Sequence, residues 1–304
     1  MTTIGSDPEF FVKNKNNILN AIPVIKNSVY NRKKINGYEF YYDNVLAECT
    51  IKPASNADEF ENNIEECFNI YSKIISPYKL STCTGYKFEK RQLQSFEAKL
   101  AGCNPDNCVY EMEMKTPEGT ILENGNWIFK DTIRCAGGHI HIGNEMLTNE
   151  KALICVRLCD LFLGISSVVL DKSKGSLLRK ELYGKPGRYR YTSYGIEYRT
   201  LSNFWLTSRK LIRLVFDLST NICEMIADHR YKAIMDVDKE SLEKRDLKNI
   251  IVPKYDQIKL FRCIVENDIA LAKEFIEFLR KDFSEEINKI MEIENFTCDF
   301  EVFS

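Results

Sequence analysis

The chain has few histidines, only three among 304 residues, and its formal net charge of -2 at pH 7 is close to zero. A near-neutral chain has no overall field that would collect nucleic acid, so we expect no nucleic-acid partner. No apolar run reaches the roughly 20 residues that span a bilayer, and the amino-terminal residues lack the pattern of a signal peptide. These absences predict a cytoplasmic protein with no membrane partner.

Two sequence motifs of nucleophilic and redox chemistry are also missing. The 11 cysteines include no CxxC pair, and the sequence has no GxSxG motif. Scattered cysteines in apolar runs are typical of reduced thiols that pack as small hydrophobic side chains. Nothing therefore points to a nucleophilic serine or cysteine. The content of 44% hydrophobic and 28% charged residues is that of a globular protein with a sizeable core.

The periodicity of apolar residues predicts an α+β fold. Extended segments are expected at 3–12, 38–51, 80–90 and 195–202, with a further strand through the histidine segment. Helices are expected from Asn56 to Pro77, over 149–171 and over 206–229. Because strands and helices do not alternate regularly, a mainly antiparallel sheet is favoured. Residues 172–193 show no periodicity and are predicted to form a long functional or disordered loop.

The last quarter of the chain differs from the rest in composition. From about residue 236 there is no glycine, and charged and apolar residues alternate at helical spacing. We therefore predict a catalytic domain over 1–235 and a helical carboxy-terminal extension over 236–304 that packs on it. This extension could cover a site or form a contact in a homo-oligomer.

Polar side chains recur at strand spacing in four segments. Residues i and i+2 of a strand point to the same face, so each such pair aims two side chains at one place. Burying these groups is costly unless they are paired or bind a ligand. Each pair therefore either lies on a solvated face or meets the others around a ligand. The pairs are Asp7/Glu9, Asn44/Glu48, His139/His141 and Glu197/Arg199.

The histidine pair lies in the segment RCAGGHIHIG, where glycines stand on both sides. Glycine permits the close approach of a backbone or a phosphate, which favours a site at this strand. We expect one of the two, His139 rather than His141, beside a metal ion or a phosphate.

Acidic and basic residues suggest complementary binding roles. The carboxylates Asp7, Glu9, Glu48 and Glu197 offer the oxygen ligands that Mg²⁺ or Mn²⁺ prefer. The segment LYGKPGRYRYTSYGIEYRT adds basic side chains that could bind phosphate, namely Lys185, Arg188, Arg190 and Arg199. Metal ions and guanidinium groups together are what phosphoryl transfer requires. A solvated basic surface is the simpler alternative for this segment.

Three segments carry a family resemblance. GSDPEFF, RCAGGHIHIG and LYGKPGRYRYTSYGIEYRTLSNFW together resemble the phage-associated COOH-NH2 ligase type 2 family, a branch of the glutamine synthetase-like carboxylate-amine ligases. The resemblance spans about 3–206. GCNPD looks like a further family segment, with Asn104 where an acidic residue is expected.

The resemblance implies ATP-dependent formation of an amide or peptide bond through an acyl phosphate. It implies a glutamine synthetase-like curved, mainly antiparallel sheet backed by helices, and cofactors ATP and Mg²⁺ or Mn²⁺. The substrates would be small-molecule or peptide carboxylates and amines, and a phage-encoded enzyme would act in the host cytoplasm.

The resemblance also assigns roles to individual residues. Metal ligands would be Asp7, Glu9, Glu48 and Glu197, with His139 beside them. Catalytic arginines in contact with the transferred phosphate would be Arg199, Arg190 and Arg188. Nucleotide-binding residues would be His139, His141, Lys185, Arg190 and Arg199.

Two other functions are compatible with these residues. In a zinc-dependent hydrolase, His139, His141 and a carboxylate would hold Zn²⁺ and activate water. In a non-catalytic phage binding or structural protein, the site would persist without turnover. The basic segment has less to do in a hydrolase. Against a site without turnover stands the presence of all the expected residues, Asp7, Glu9, Glu48, Glu197 and Arg199.

Overall fold

The computed structural model describes residues 1–101, 105–116, 119–173 and 175–294; Asn104 of GCNPD lies outside the described residues. Its strands are β1 (Thr3–Ser6), β2 (Glu9–Asn14), β3 (Asn17–Leu19), β4 (Lys33–Ile35), β5 (Tyr38–Asp43), β6 (Leu46–Ala54), β7 (Lys79–Ser81), β8 (Gly85–Lys87), β9 (Asp106–Cys108), β10 (Glu113–Lys115), β11 (Thr120–Glu123), β12 (Asn126–Phe129), β13 (Ile133–Cys135), β14 (Ile140–Gly143), β15 (Arg188–Thr192), β16 (Gly195–Tyr198), β17 (Met235–Val237) and β18 (Ile251–Pro253). Its helices are α1 (Ala57–Ile75), α2 (Phe96–Lys99), α3 (Asn149–Cys159), α4 (Ile165–Leu170), α5 (Ser176–Leu182), α6 (Arg209–Ala227), α7 (Lys239–Glu243), α8 (Gln257–Glu266), α9 (Ile269–Arg280) and α10 (Ser284–Glu294).

One large open sheet organises the fold. Its strand order is β10-β9-β15-β16-β14-β1-β6-β2-β3, and β4, β5 and β7 attach to its side. The pairs in this sheet are antiparallel, including those that join β14 to β1 and to β16. The predicted α+β class with a mainly antiparallel sheet is confirmed.

A proline divides the first predicted strand in two. The segment 3–12 forms β1 and β2, which both pair with β6 but at separate stretches of it. Pro8 has no N–H to donate to a ladder, so pairing is interrupted at Asp7 and Pro8. The interruption leaves Asp7 between the two strands.

Hydrophobic side chains on one face of the sheet pack against helices. Ile4, Ile142 and Ile196 are in register across β1, β14 and β16, and all three are buried. Side chains alternate along each strand, so their neighbours point to the opposite face. Helices α1, α3 and α6 pack on the apolar face, where Phe60 and Trp205 stack with ring centroids 5.9 Å apart.

The predicted helices are confirmed with shifted ends. Helix α1 begins after Asn56, whose side chain accepts a hydrogen bond from the N–H of Glu59. The segment predicted as one helix over 149–171 contains α3, a π-helical turn (Asp160–Gly164) and α4. This stretch is apolar and long enough to cross a membrane, but its most apolar window is completely buried in the fold. It is a core helix in this structure.

The prediction of a long unstructured loop at 172–193 is wrong in part. The described residues of this segment contain α5 and β15. Strand β15 reads RYRYT, a period-two pattern of arginine and tyrosine, with buried Tyr189 alternating with half-buried arginines. Alternating polar and apolar residues are typical of a strand with one polar face, and here arginines occupy the polar positions.

The carboxy-terminal part packs on the core. Helices α8 and α9 contact α4, and α10 contacts both α4 and α6. This part is not purely helical, since β18 pairs with β17. Its apolar residues join the same hydrophobic cluster as the sheet. The division into domains at residue 235 stays a prediction.

The cysteines behave as the composition indicated. All nine cysteines in the described residues are free, and eight of them are buried. They contribute to packing as small apolar side chains.

Candidate active site

Three strands place polar side chains in one row across the sheet. His141 of β14 lies opposite Glu197 of β16, which lies opposite Arg190 of β15. On the other side of His141 the partner is Gly5, whose lack of a side chain leaves the row open there. Directly opposed residues share a face and touch through their side chains. Residues far apart in sequence therefore meet at the polar face.

A second row of polar side chains crosses the neighbouring strands. Glu48 of β6 lies opposite Glu9 of β2 on one side and Tyr41 of β5 on the other. The Tyr41 hydroxyl donates a hydrogen bond to Glu48 Oε1 at 2.7 Å. The N–H of Gly137 donates to Glu9 Oε2 at 2.6 Å, which links this row to the histidine segment.

Asp7 bridges the two histidines. Its Oδ1 lies 3.1 Å from His141 Nε2 and 3.4 Å from His139 Nδ1. The strand spacing of the HIH segment therefore brings both rings to one carboxylate. Burial opposes ionisation of Asp7, but the two histidines outweigh it and hold the pKa of its carboxyl well below the ordinary value.

His139 lies deep between charged groups. Its ring is almost completely buried, and Nδ1 lies 3.3 Å from Glu197 Oε1 and 3.4 Å from Arg199 Nη1. A Cβ on Gly137 would stand 2.5 Å from His139 Nε2. The glycine therefore makes room for the imidazole.

The second glycine of the pair accommodates the chain's own backbone. A Cβ on Gly138 would lie 2.5 Å from the carbonyl oxygen of Ser202 and 2.6 Å from Trp205 Nε1. Close packing within the protein, rather than space for a phosphate, accounts for the glycines on this side of the histidines.

The arginines form a network with buried acids. Arg199 contacts Glu197 through Nη1 and donates from Nε to Asp106 Oδ2 at 3.2 Å. Arg188 Nε lies 3.0 Å from the other oxygen of Asp106, and Arg190 Nη1 lies 3.7 Å from Glu197 Oε2. Burial opposes ionisation of Glu197, yet Arg199 and His139 lower its pKa to about 2. Glu197 is therefore a stable anion beside these cations.

Lys185 lies at the edge of this network. It lines a small pocket together with Asp106, Arg188 and Arg199. Its carbonyl oxygen accepts a hydrogen bond from the Thr200 hydroxyl at 3.0 Å, which fixes the loop. All four basic residues singled out in the sequence thus lie on one side of the candidate site.

Acids predominate on the other side. Burial and the charges of Asp7, Asp43 and Glu9 raise the pKa of the Glu48 carboxyl well above its ordinary value. Burial and the charge of Glu9 raise the pKa of Asp43 to about 6. Like charges at short range disfavour ionisation of both groups, and a bound cation would relieve this repulsion.

Both histidines lie among potential metal ligands. One group of ligand atoms, from Asp7, His141 and Glu197, lies within 4.8 Å of one another. His139 Nδ1 lies 3.3 Å from Glu197 Oε1 and 3.4 Å from Asp7 Oδ1, and it is also 3.4 Å from Arg199 Nη1. Metal binding, and the expectation that His139 rather than His141 lies beside the metal ion or a phosphate, stay predictions.

Asn44 does not lie beside Glu48 as strand parity predicted. It occupies the turn after β5 with a φ of 52°, and Nδ2 bonds to the carbonyl oxygens of Glu97 and Ala98 at 3.1 Å each. Its Oδ1 accepts from Arg134 Nε at 3.0 Å. Asn44 is a structural link between the hairpin and the segment around residue 98.

Sequence reasoning missed two acids of the site. Asp106 joins Arg188 and Arg199, and Asp43 lies beside Glu9 and Glu48. Asp106 follows Pro105 and Asp43 precedes Asn44, so both look like turn residues in the sequence. Two features of the sequence pointed towards Asp106: it ends the GCNPD segment, and Arg199, if buried, requires a carboxylate partner.

Residues 129–250 match the model of the family described as phage phiEco32-like COOH.NH2 ligase-type 2. The family resemblance is confirmed. The match includes the histidine segment and the arginines of the network, while Asp7, Glu9, Glu48 and Asp106 come before it in the chain. No curated protein matches the sequence.

Proposed function

We propose that this protein is an ATP-dependent carboxylate-amine ligase that activates a carboxylate as an acyl phosphate and joins it to an amine. The family's name, a COOH.NH2 ligase, supports ligase activity in general. One observation carries the rest of the proposal. The row of Glu9 and Glu48 and the row of His141, Glu197 and Arg190 lie on the same face of the sheet, and Asp7 brings a carboxylate to within 4.8 Å of His141 and Glu197.

The acidic side fits divalent cations. Asp7, Glu9, Glu48 and Glu197 would supply carboxylate oxygens to Mg²⁺ or Mn²⁺, with His141 beside them. Hard cations prefer such oxygen ligands, and a bound cation would offset the burial and the like charges that raise the pKa of Glu48. Bound cations supply positive charge that neutralises a polyphosphate.

The basic side would hold and orient the phosphate groups. Arg188, Arg190 and Arg199 present planar guanidinium groups, which bind phosphate oxygens through paired hydrogen bonds. Asp106 and Glu197 fix the directions of these arginines before any ligand binds. Catalysis of phosphoryl transfer depends mainly on charged groups that are positioned in advance in this way.

The proposed ligase would have a glutamine synthetase-like sheet. The support is a mainly antiparallel open sheet with carboxylates on several strands and helices on its other face. We place the reaction in the cytoplasm, where ATP is available.

A zinc-dependent hydrolase is the second candidate, because Asp7, His141 and Glu197 form a compact group of ligand atoms. The position of Arg199 Nη1, 3.4 Å from His139 Nδ1, argues against it. A guanidinium there would repel a zinc ion held by both histidines. The three arginines would also have no evident task in hydrolysis.

The ligase proposal is tested by trapping the activated carboxylate with hydroxylamine. The purified protein is incubated with ATP, Mg²⁺, pooled carboxylates and hydroxylamine, and phosphate release is measured together with new hydroxamate masses. An activated carboxylate yields both products in equal amounts. Hydrolysis of amides without nucleotide, with stoichiometric bound zinc, would favour the second candidate instead.

The Glu197→Gln variant shows whether any observed turnover uses this site. The substitution removes the anion that contacts Arg199 and His139, and we expect ATP turnover to fall by at least about 100-fold. Circular dichroism checks that the variant folds. A wild-type rate in the folded variant would exclude Glu197 from the reaction.

A further inference from the structure

A second cleft opens beside the acidic side of the candidate site. It shares Asp43 and Asn44 with the inner cavity that contains Glu9 and His139. Its volume is about 190 Å³. A single water needs roughly 15 Å³ by the same measure, so the cleft has space for an organic group. Its wall includes the aromatic side chains Tyr30, Tyr42 and Trp127.

Charge in this cleft has one sign. Its lining contains the carboxylates Asp43 and Glu97, and no lysine, arginine or histidine is among the described residues that line it. The inner cavity contains charges of both signs, Arg134 and Arg179 together with Glu9 and Asp43. The cleft is therefore the part of the site whose charge would attract a cation.

Asp43 stands where the cleft meets the site. It is partly buried, and no cationic side chain in the described part of the chain forms an ion pair with it. Arg32 and Arg199 act on it from a distance, but they pair with Glu39 and Glu197. A carboxylate in this position gains from a cationic ligand.

The aromatic walls suit a cation on an apolar stem. Tyr30 is 89% exposed, whereas Tyr42 and Trp127 in the same lining are partly buried. Aromatic faces attract ammonium groups and also pack against alkyl chains. Ammonia would use neither the volume nor the aromatic contacts.

We propose that this cleft binds the amine substrate as an alkylammonium group, a primary amine on an apolar stem, with Asp43 opposite its charge. The proposal rests on the proposed ligase function and names the class of its amine substrate. Arginine-rich pockets on the other side of the site would be left to the phosphate and carboxylate groups.

Binding can be measured without turnover because the chain has only two tryptophans. The protein is labelled with ¹⁵N-tryptophan, and its two indole signals are followed during titration with pentylamine in excess Mg²⁺ and without ATP. The Trp127→Phe variant assigns the signals. Trp205 is buried, and its Nε1 donates to the carbonyl oxygen of Gly138 at 3.1 Å, so it is an internal control.

We expect pentylamine to shift the Trp127 signal and to bind at least about tenfold more tightly than 1-pentanol, its neutral counterpart. Asp43→Asn should remove this preference for the amine. The exposed Asp236→Asn, on a distant strand, is the matched control and should keep it. Equal binding of amine and alcohol to the wild type would overturn the proposal, as would a preference that survives in Asp43→Asn.

The ligase reaction is tested separately by the hydroxylamine assay. If hydroxamate is trapped but the cleft at Trp127 shows no preference for the amine, the ligase function stands and the cleft is not the amine site. Selective amine binding without ATP turnover would refute the ligase function, and with it the role of the amine as substrate.

Discussion

Arg199 lies between two buried carboxylates at the centre of the candidate site. Its Nε donates to Asp106 at 3.2 Å, and Nη1 contacts Glu197 and lies 3.4 Å from His139 Nδ1. The planar guanidinium group therefore contacts the two carboxylates through two different nitrogen atoms, Nε and Nη1. A lysine ammonium is a single point of charge and cannot reach both carboxylates in the same directions.

We therefore expect Arg199→Lys to reduce ATP turnover by about 100-fold or more, although the formal charge is unchanged. Phosphate release measures the effect, and thermal melting checks the fold. Arg280→Lys on α9, at a partly exposed position whose partner Glu277 lies at 3.2 Å, is the matched control and should have the wild-type rate. Full activity in Arg199→Lys would place Arg199 outside the phosphate contacts.

Single residues were predictable from the sequence where strand parity alone fixed their direction. His139 and His141 reach one carboxylate, as their spacing indicated. Asp106 was not predictable, because its position depends on the pairing of β9 with β15, strands about 80 residues apart. Local patterns carry no information on such non-local pairing, so the partner of Arg199 could not be named.

At the scale of elements, the π-helical turn places a buried carboxylate behind β16. Asp160 accepts a hydrogen bond from the hydroxyl of Tyr198 and another from that of Tyr110, each at 2.7 Å. Tyr198 follows Glu197 in the strand and points to the opposite face. Asp160 therefore anchors, from the core side, the strand that carries Glu197 and is followed by Arg199.

This carboxyl predicts a pH dependence of stability. Burial raises the pKa of Asp160 to about 6, whereas in the unfolded chain it ionises near its ordinary value of about 3.9. Between these values the folded state binds more protons, so the free energy of unfolding falls as pH rises from about 4 to 6, by about 2–3 kcal/mol from this group.

Asp160→Asn keeps an acceptor oxygen for one tyrosine hydroxyl and offers an amide N–H to the oxygen of the other, and it does not ionise. Urea unfolding at pH 4, 5 and 6 should show a smaller fall in stability for this variant than for the wild type. Other groups also titrate in this range, so the difference between the two proteins is the quantity to compare. Parallel curves would contradict the raised pKa.

Helix α5 shows why part of the fold could not be predicted from the sequence. It has seven residues and no side chain that caps its amino terminus, so it is marginal as an isolated helix. Its stability comes from Arg179, which is buried and donates to the carbonyl oxygens of Ala136, Thr200 and Leu201 at 2.9–3.1 Å. Hydrogen bonds between distant parts of the chain leave no periodic pattern in the sequence.

We expect Arg179→Met to destabilise the protein by about 2–4 kcal/mol, because buried carbonyl groups lose their donors. Arg262→Met, at a half-exposed position on α8 with a partner at 3.8 Å, is the control and should change stability little. Chemical denaturation measures both. Similar stability of the two variants would show that α5 does not depend on this residue.

For the whole molecule, the central feature is a sheet with two unlike faces. Helices bury the apolar face, and the alternation of side chains then forces the acids and arginines onto the other. The α+β class and most helices followed from periodicity in the sequence. The order of the strands did not, since it depends on pairings such as β1 with β14 that join distant segments.

The acidic side of this face predicts a link between metal binding and global stability. Glu48 lies near Asp7, Asp43 and Glu9, and its raised pKa reflects burial and this repulsion. Glu48→Gln keeps an acceptor for the Tyr41 hydroxyl and removes one negative charge. We expect the variant without metal to be as stable as the wild type or more stable.

Saturating Mg²⁺ should stabilise the wild type more than it stabilises Glu48→Gln. A ligand that binds only the folded state at about 100 times its Kd adds about 2.7 kcal/mol, which corresponds to roughly 5 °C in a protein of this size. The wild type should show this shift in thermal melting, and Glu48→Gln should show much less. NaCl at equal ionic strength controls for screening, and Glu277→Gln at an exposed position controls for loss of charge. A variant that is less stable without metal and keeps the full Mg²⁺ shift would make Glu48 a structural residue, because a metal ligand must lose affinity when its charge is removed.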